Sequence, residues 1–187
     1  GAVRAMAFVG PAQSLGVTDK RALIIAGDFT TYNGVKSTRV ARVLSTGELD
    51  ESLFMREGPN GPVYSVAVQE DGKIIIGGDF TMYDEYRRGN VTRINVDGTL
   101  DEKFEAIIGA DDTVHSVFLQ PDGKILLGGS FKAINAVPRI SGDENQSIRS
   151  PRLSTIWTAT NPVARIRKPK TPKGWELGRR GRVGPKI

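Results

Sequence analysis

The chain has 187 residues, 39% of them hydrophobic and 25% charged, an ordinary globular balance with room for one packed core and a tail. It holds no cysteine, which excludes a disulfide framework and a thiolate metal site, and no apolar run long enough to cross a bilayer. The net charge of +5 is unevenly spread: residues 160–187 carry nine basic residues and one acid, leaving 17 basic and 20 acidic residues ahead of them.

In chain order, VRAMAF (3–8) reads as a first strand, with neither the basic start nor the long apolar centre of a signal peptide. GPAQSLGVTDKR (10–21) is a long turn, and Leu23, Ile24 and Ile25 begin an apolar run that ends in Gly27-Asp28-Phe29. The same signature returns as Gly78-Asp79-Phe80 and Gly129-Ser130-Phe131, 51 residues apart each time. VYSVAV (63–68) and VHSVFL (114–119) keep that interval, and VRAMAF precedes VYSVAV by 60 because the first turn is nine residues longer.

Within the middle repeat, period-two alternation puts Tyr64, Val66 and Val68 on one face and Val63, Ser65 and Ala67 on the other. EDG (70–72) is a tight turn, and KIIIGG is apolar on both faces, as in a strand sandwiched between layers. The paired Gly77 and Gly78 predict a bulge or a close backbone approach. VTRINV (91–96) is a third strand, and TLDEKF, after the Asp97-Gly98 turn, a short edge strand. The expected core is Leu23, Ile24, Ile25, Ile74, Ile75, Ile76, Ile125, Leu126 and Leu127.

About four strands per repeat and almost no helical periodicity predict an all-β protein of propeller-like blades. The domains are residues 1–159, three blades, and 160–187, a basic Pro/Gly-rich extended arm. Gln69, Asp71, Gly72, Lys73, Gly77, Gly78, Phe80, Arg93, Asp97, Gly98, Leu100, Asp101 and Phe104 form a pattern that residues 120–131 repeat in its first half. This pattern resembles the delta-sixty repeat, over roughly residues 1–157; the resemblance implies β-propeller blades and no specific activity.

Candidate chemistry is sparse. GGDF (77–80) shares letters with a nucleotide-cyclase loop, but Phe80 stands where that loop needs an acid and the sister copies read AGDF and GGSF, so it is read as blade architecture. The single histidine, His115, is expected as a partly buried strand residue. Asn95, Asp97 and Asp101 have a spacing loosely like a calcium loop; the competing reading is a hairpin turn with Asp101 accepting backbone hydrogen bonds. Arg42 and Arg93, in register, are expected to pair with repeat acids such as Asp28 and Asp79 and hold blades together.

The expectation is therefore a non-catalytic structural or interaction protein without cofactor or metal, a blade subunit of a larger assembly such as a virion or tail component. Its partners are other proteins, in a homo-oligomer or hetero-complex, and a virion or extracellular location is favoured. Trp157 and Trp175 are the expected partner anchors, with Arg165, Arg167, Lys168, Arg179, Arg180 and Arg182 supplying charge. Two alternatives stand beside it: a surface or secreted ligand-binding propeller fragment, and a nucleic-acid-associated protein binding through the basic arm.

Overall fold

The computed structural model describes residues 1–9, 22–104, 109–135, 137–138 and 155–159. Every regular element among them is a strand. Blade 1 is an antiparallel sheet of β1 (Val3–Phe8), β2 (Leu23–Gly27) and β5 (Val40–Val43), ordered β1-β2-β5, with a small hairpin of β3 (Thr31–Tyr32) and β4 (Val35–Lys36) inserted after its central strand. Blade 2 repeats this with β6 (Val63–Val68), β7 (Ile74–Gly78) and β10 (Val91–Ile94), plus the hairpin of β8 (Met82–Tyr83) and β9 (Tyr86–Arg87). Blade 3 has β11 (Val114–Leu119), β12 (Ile125–Gly129) and β15 (Thr155–Ala159), with the hairpin of β13 (Ala133–Ile134) and β14 (Val137–Pro138). The expected all-β blade fold is what the chain adopts.

The fourth strand of blades 1 and 2 is shorter than expected. TLDEKF forms no strand: a single bridge joins Ile94 to Leu100, as another joins Val43 to Leu49. Pairing stops there because Phe104 N donates back to the Asp101 carbonyl at 3.1 Å and Lys103 N to the Asp101 carboxylate at 3.1 Å, which turns the chain.

The blades stack in chain order, β1 and β2 against β6, then β6 and β7 against β11. The central strands are apolar on both faces because each face meets a different neighbour. Ile74 and Ile76 join Ile24, Ala26 and Val40 in the core between blades 1 and 2, while Ile75 joins Val114, Val117 and Leu127 between blades 2 and 3. Full burial of each such isoleucine contributes about 1.5–3 kcal/mol. Two expected core residues, Leu23 and Leu126, are only half-buried. Leu23 lies with the cluster on the outer side of blade 1, and Leu126 takes the blade-3 position of Ile24 and Ile75, where no described blade follows.

The alternation expected for VYSVAV breaks at one point. Val63 faces the same core as Val66 and Val68, because a register shift between Val63 and Ser65 makes Tyr64 an extra, unpaired residue. Identical shifts single out Arg4 in β1 and His115 in β11. The paired glycines lie opposite this bulge and serve both expected purposes. A Cβ on Gly78 would stand 2.1 Å from the Pro62 carbonyl oxygen, and one on Gly77 would stand 2.7 Å from a Val114 methyl group across the blade interface.

One buried group is badly served. The Thr92 hydroxyl is fully enclosed and has no hydrogen-bond partner. Desolvating an unpaired hydroxyl costs about 1–3 kcal/mol, so Thr92→Val should raise the melting temperature by roughly 2–4 °C for each kcal/mol recovered, read in calorimetry. Ile75→Asp should instead abolish the cooperative transition, since it places an unpaired charge between two blades.

Candidate interaction surfaces

The polar letters of the repeat converge on one buried cluster in blade 2. Arg93, 2% exposed, donates from Nε to Asp101 Oδ2 at 2.8 Å and from Nη1 to Gln69 Oε1 at 3.2 Å. Lys73 Nζ reaches the same Asp101 oxygen at 2.8 Å, and the guanidinium lies 4.9 Å from the centroid of the Phe104 ring. Gln69, Lys73, Arg93, Asp101 and Phe104 thus form one network tying the third strand of the blade to the turns at its ends. Blade 1 has a reduced version, with Arg42 Nε on Asp50 Oδ2 at 2.7 Å and Nη2 on Ser52 Oγ at 2.6 Å.

The expected pairing of these arginines with Asp28 and Asp79 is therefore corrected. Each reaches the aspartate eight residues on, which the bridge at Leu49 or Leu100 folds back beside its own strand. The notion that they hold blades together survives for Arg42, whose Nη1 donates to the Val96 carbonyl of blade 2 at 2.8 Å. In blade 3 the register puts Thr158, opposite Leu126, at this arginine position.

The same network answers the calcium question. Asp101 is engaged by two cationic heads and a backbone N–H, while Asp97 accepts from Thr99 N at 3.0 Å and Thr99 Oγ1 at 2.7 Å. Asn95 Nδ2 donates to Thr99 Oγ1 at 2.9 Å. The donor set is consumed by its own turn and does not fit a cation.

A second polar feature runs along the first strands of the three blades. The bulge in each turns one side chain outward: Arg4, Tyr64 and His115. The Arg4 guanidinium lies 5.4 Å from the centroid of the Tyr64 ring, and Tyr64 stacks on His115 with centroids 6.0 Å apart and planes at 27°. Arg4 also grips Asp28 through both nitrogens, Nη2 to Oδ2 at 2.7 Å, and His115 Nε2 shares a hydrogen bond of 3.1 Å with Ser130 Oγ. His115 is exposed, not partly buried as expected, because the bulge takes it out of the alternating pattern. No signal in a single strand shows this row; only the repeat register, 60 residues from Arg4 to Tyr64 and 51 from Tyr64 to His115, places three unlike residues in line.

Of the expected partner residues, Trp157 has its backbone in β15, in register with Leu127 of the central strand. Arg165, Arg167, Lys168, Trp175, Arg179, Arg180 and Arg182 lie outside the described residues, as does the whole arm.

With three stacked blades and their repeated network in view, the class is a protein of β-propeller-type repeats. Residues 23–53, 69–104 and 120–141 match the family model of a domain of unknown function (DUF5122) beta-propeller. No curated protein and no solved structure gives a significant match.

Burial pushes the Asp50 and Asp101 carboxyls up, but hydrogen bonds and nearby cations outweigh it: Ser52 and Arg42 for Asp50, Lys73, Lys103 and Arg93 for Asp101. Both are held below the ordinary carboxylate value. Depressed carboxylates stabilise the fold fully above the unfolded pKa near 3.9 and lose that contribution as pH falls through the folded value. Melting temperature should accordingly stay flat from pH 7 to about 5 and drop below about pH 4. Arg93→Met, which strands Asp101 beside a partly exposed lysine, should cost about 3 kcal/mol in urea unfolding at pH 7. The exposed Lys36–Glu57 pair should tolerate Lys36→Ala with little change.

Proposed function

We propose that this chain is a non-catalytic structural or interaction protein, a β-blade subunit that works by binding other proteins in a larger assembly. The observation that carries this reading is the outer side of blade 1, where Val3, Met6 and Phe8 of β1 stand exposed on one face of the strand. A contiguous exposed apolar strip of this kind is an association surface. We further propose that the repeats are of the delta-sixty type and that the basic arm docks on partners, Trp175 and the GRRGR run (178–182) supplying anchor and charge. A particle or appendage, such as a virion or tail, is the assembly that best combines an acidic repeat body with such an arm.

A second reading, ligand binding at a propeller face, is favoured by the Arg4–Tyr64–His115 row, in which the half-buried Tyr64 ring lies between an exposed imidazole and an exposed guanidinium. The test is light scattering of the intact chain and of a version ending at Thr160, with native partners at low and high salt. The first reading expects the intact chain in an assembly that weakens with salt and is lost on truncation. A Tyr64→Ala change should leave that assembly intact. If the intact chain stays monomeric and truncation changes nothing, the reading fails.

A further inference from the structure

The chain contains two Asn-Gly pairs, Asn33-Gly34 and Asn60-Gly61. In such a pair the second residue has no side chain to shield its backbone nitrogen, which can then attack the carboxamide carbon of the asparagine. The two pairs sit in opposite surroundings. Asn60 lies on the connection into β6, where its Oδ1 accepts from Thr81 N at 2.9 Å and Met82 N at 3.0 Å. Its Nδ2 donates to Thr81 Oγ1 at 3.0 Å, and its backbone N–H to the Met82 carbonyl at 3.0 Å. Gly61 is pressed so close to Asp79 that a Cβ there would stand 1.9 Å from the Asp79 carbonyl oxygen. The Asn60 carboxamide can reach the Gly61 nitrogen only by giving up hydrogen bonds worth about 0.5–1.5 kcal/mol each.

Asn33 has none of these restraints. It forms the turn of the β3–β4 hairpin with Gly34, at φ 47° and 83°. Both residues are exposed, and the Asn33 side chain has no hydrogen-bond partner among the described residues. A Cβ built on Gly34 would meet nothing within 4 Å. Attack by Gly34 N requires rotation about the Asn33 Cα–C bond, out of the turn. What resists that rotation is a hairpin of two residue pairs, Thr31↔Lys36 and Tyr32↔Val35, in which only Tyr32 is half-buried. So short and wet an element opens locally at little cost. The counterparts of Asn33 in the other blades are less reactive for chemical reasons. Asp84 has no amide to lose, and Asn135 precedes Ala136, whose methyl group shields the nitrogen, while its Oδ1 accepts from Gly109 N at 3.2 Å.

We propose that Asn33 is a self-modification site, where the folded chain converts its own side-chain amide while Asn60 is spared. Gly34 N gives up its proton and bonds to Asn33 Cγ; the Cγ–Nδ2 bond breaks, and ammonia leaves carrying that proton. Water then opens the resulting cyclic imide at either of its carbonyl carbons. Opening at Cγ restores the backbone and leaves an aspartate. Opening at the main-chain carbonyl carbon leaves the peptide running through Cγ, an isoaspartyl link. Water is the only co-reactant. The isoaspartyl link adds a methylene to the main chain inside a turn of two residues, which has no slack, so the Tyr32↔Val35 pair is lost. Tyr32 is anchored by its hydroxyl, which donates to the Gly47 carbonyl at 2.7 Å, and it packs on the cluster of Ile25, Phe29 and Ala41. Modification therefore loosens the cover of that cluster. The aspartyl product keeps the turn, as Asp84 does at the same position of blade 2 at φ 50°.

The experiment incubates the full chain in mildly alkaline buffer, folded and in urea, and follows both sites by peptide mapping that separates asparaginyl, aspartyl and isoaspartyl forms. In urea Asn33 and Asn60 should convert at similar rates, since both precede glycine. In the folded chain Asn60 should convert at least about tenfold more slowly than Asn33, a factor that two retained hydrogen bonds already supply. Gly34→Ala, which shields the attacking nitrogen, should suppress conversion at Asn33 and leave Asn60 as it was. Hydrogen exchange in the β3–β4 hairpin should quicken in the aged chain and stay slow in Asn33→Asp, whose backbone is not lengthened. Equal rates at the two sites of the folded chain overturn the proposal. So does an Asn33 that converts in urea and stays intact when folded. Conversion that leaves exchange in the hairpin unchanged overturns the loosening. None of these readouts involves the arm or a partner, so the proposal and the assembly reading fail separately.

Discussion

A sheet whose central strand is apolar on both faces has to be covered on both sides, and the rest of the molecule follows from that requirement. Ile74, Ile75 and Ile76 cannot all be buried by one neighbour, because successive side chains leave a strand in opposite directions. Stacking blades in series solves the problem for every sheet except those at the ends. Gly77 makes room for the next blade, since a Cβ there would meet Val114 and Val117, while Gly27, Gly78 and Gly129 let backbone meet backbone opposite each bulge within a blade. The bulge then separates two functions on one strand: residues on either side of it face the cores, and the extra residue faces out.

Apolar stacking is non-directional, so register needs other devices. The buried Arg93–Asp101 pair, with Gln69 and Lys73 completing its hydrogen bonds, fixes how the end of the blade folds back on its third strand. A buried ion pair stabilises little in net terms because desolvation offsets attraction, yet either partner alone would be costly. Its contribution is to define one arrangement. Two hairpin side chains act in the same way, Asp84 accepting from Gly58 N and Asn135 from Gly109 N on the connections that lead into β6 and β11. Tyr83 adds a buried hydroxyl on the Gly98 carbonyl, and burial holds its phenol well above the usual value.

The two faces at the ends of the stack differ in kind. Blade 1 keeps an apolar residue at each position that blade 2 buries against it, whereas blade 3 has Phe118 where its sisters have alanine and Thr158 at the arginine position. The polarity of the stack is thus carried in a few substitutions at repeat positions.

Repetition, strand content and both turn glycines were legible in the sequence, because the 51-residue interval and period-two patterning are local properties. The double-sided burial of KIIIGG was legible for the same reason, since only a sandwiched strand tolerates apolar residues at consecutive positions. Partner choice was not: Arg42 and Arg93 stand in register with several acids, and only the fold-back at Leu49 and Leu100 selects Asp50 and Asp101 over Asp28 and Asp79. The outward row of Arg4, Tyr64 and His115 was hidden too, because a bulge is set by what lies across the strand and leaves the local alternation looking regular. The sequence by itself determined that the chain builds like blades one after another. Tertiary structure alone decided which faces those blades bury and which they leave open, because burial depends on neighbours that no single strand contains.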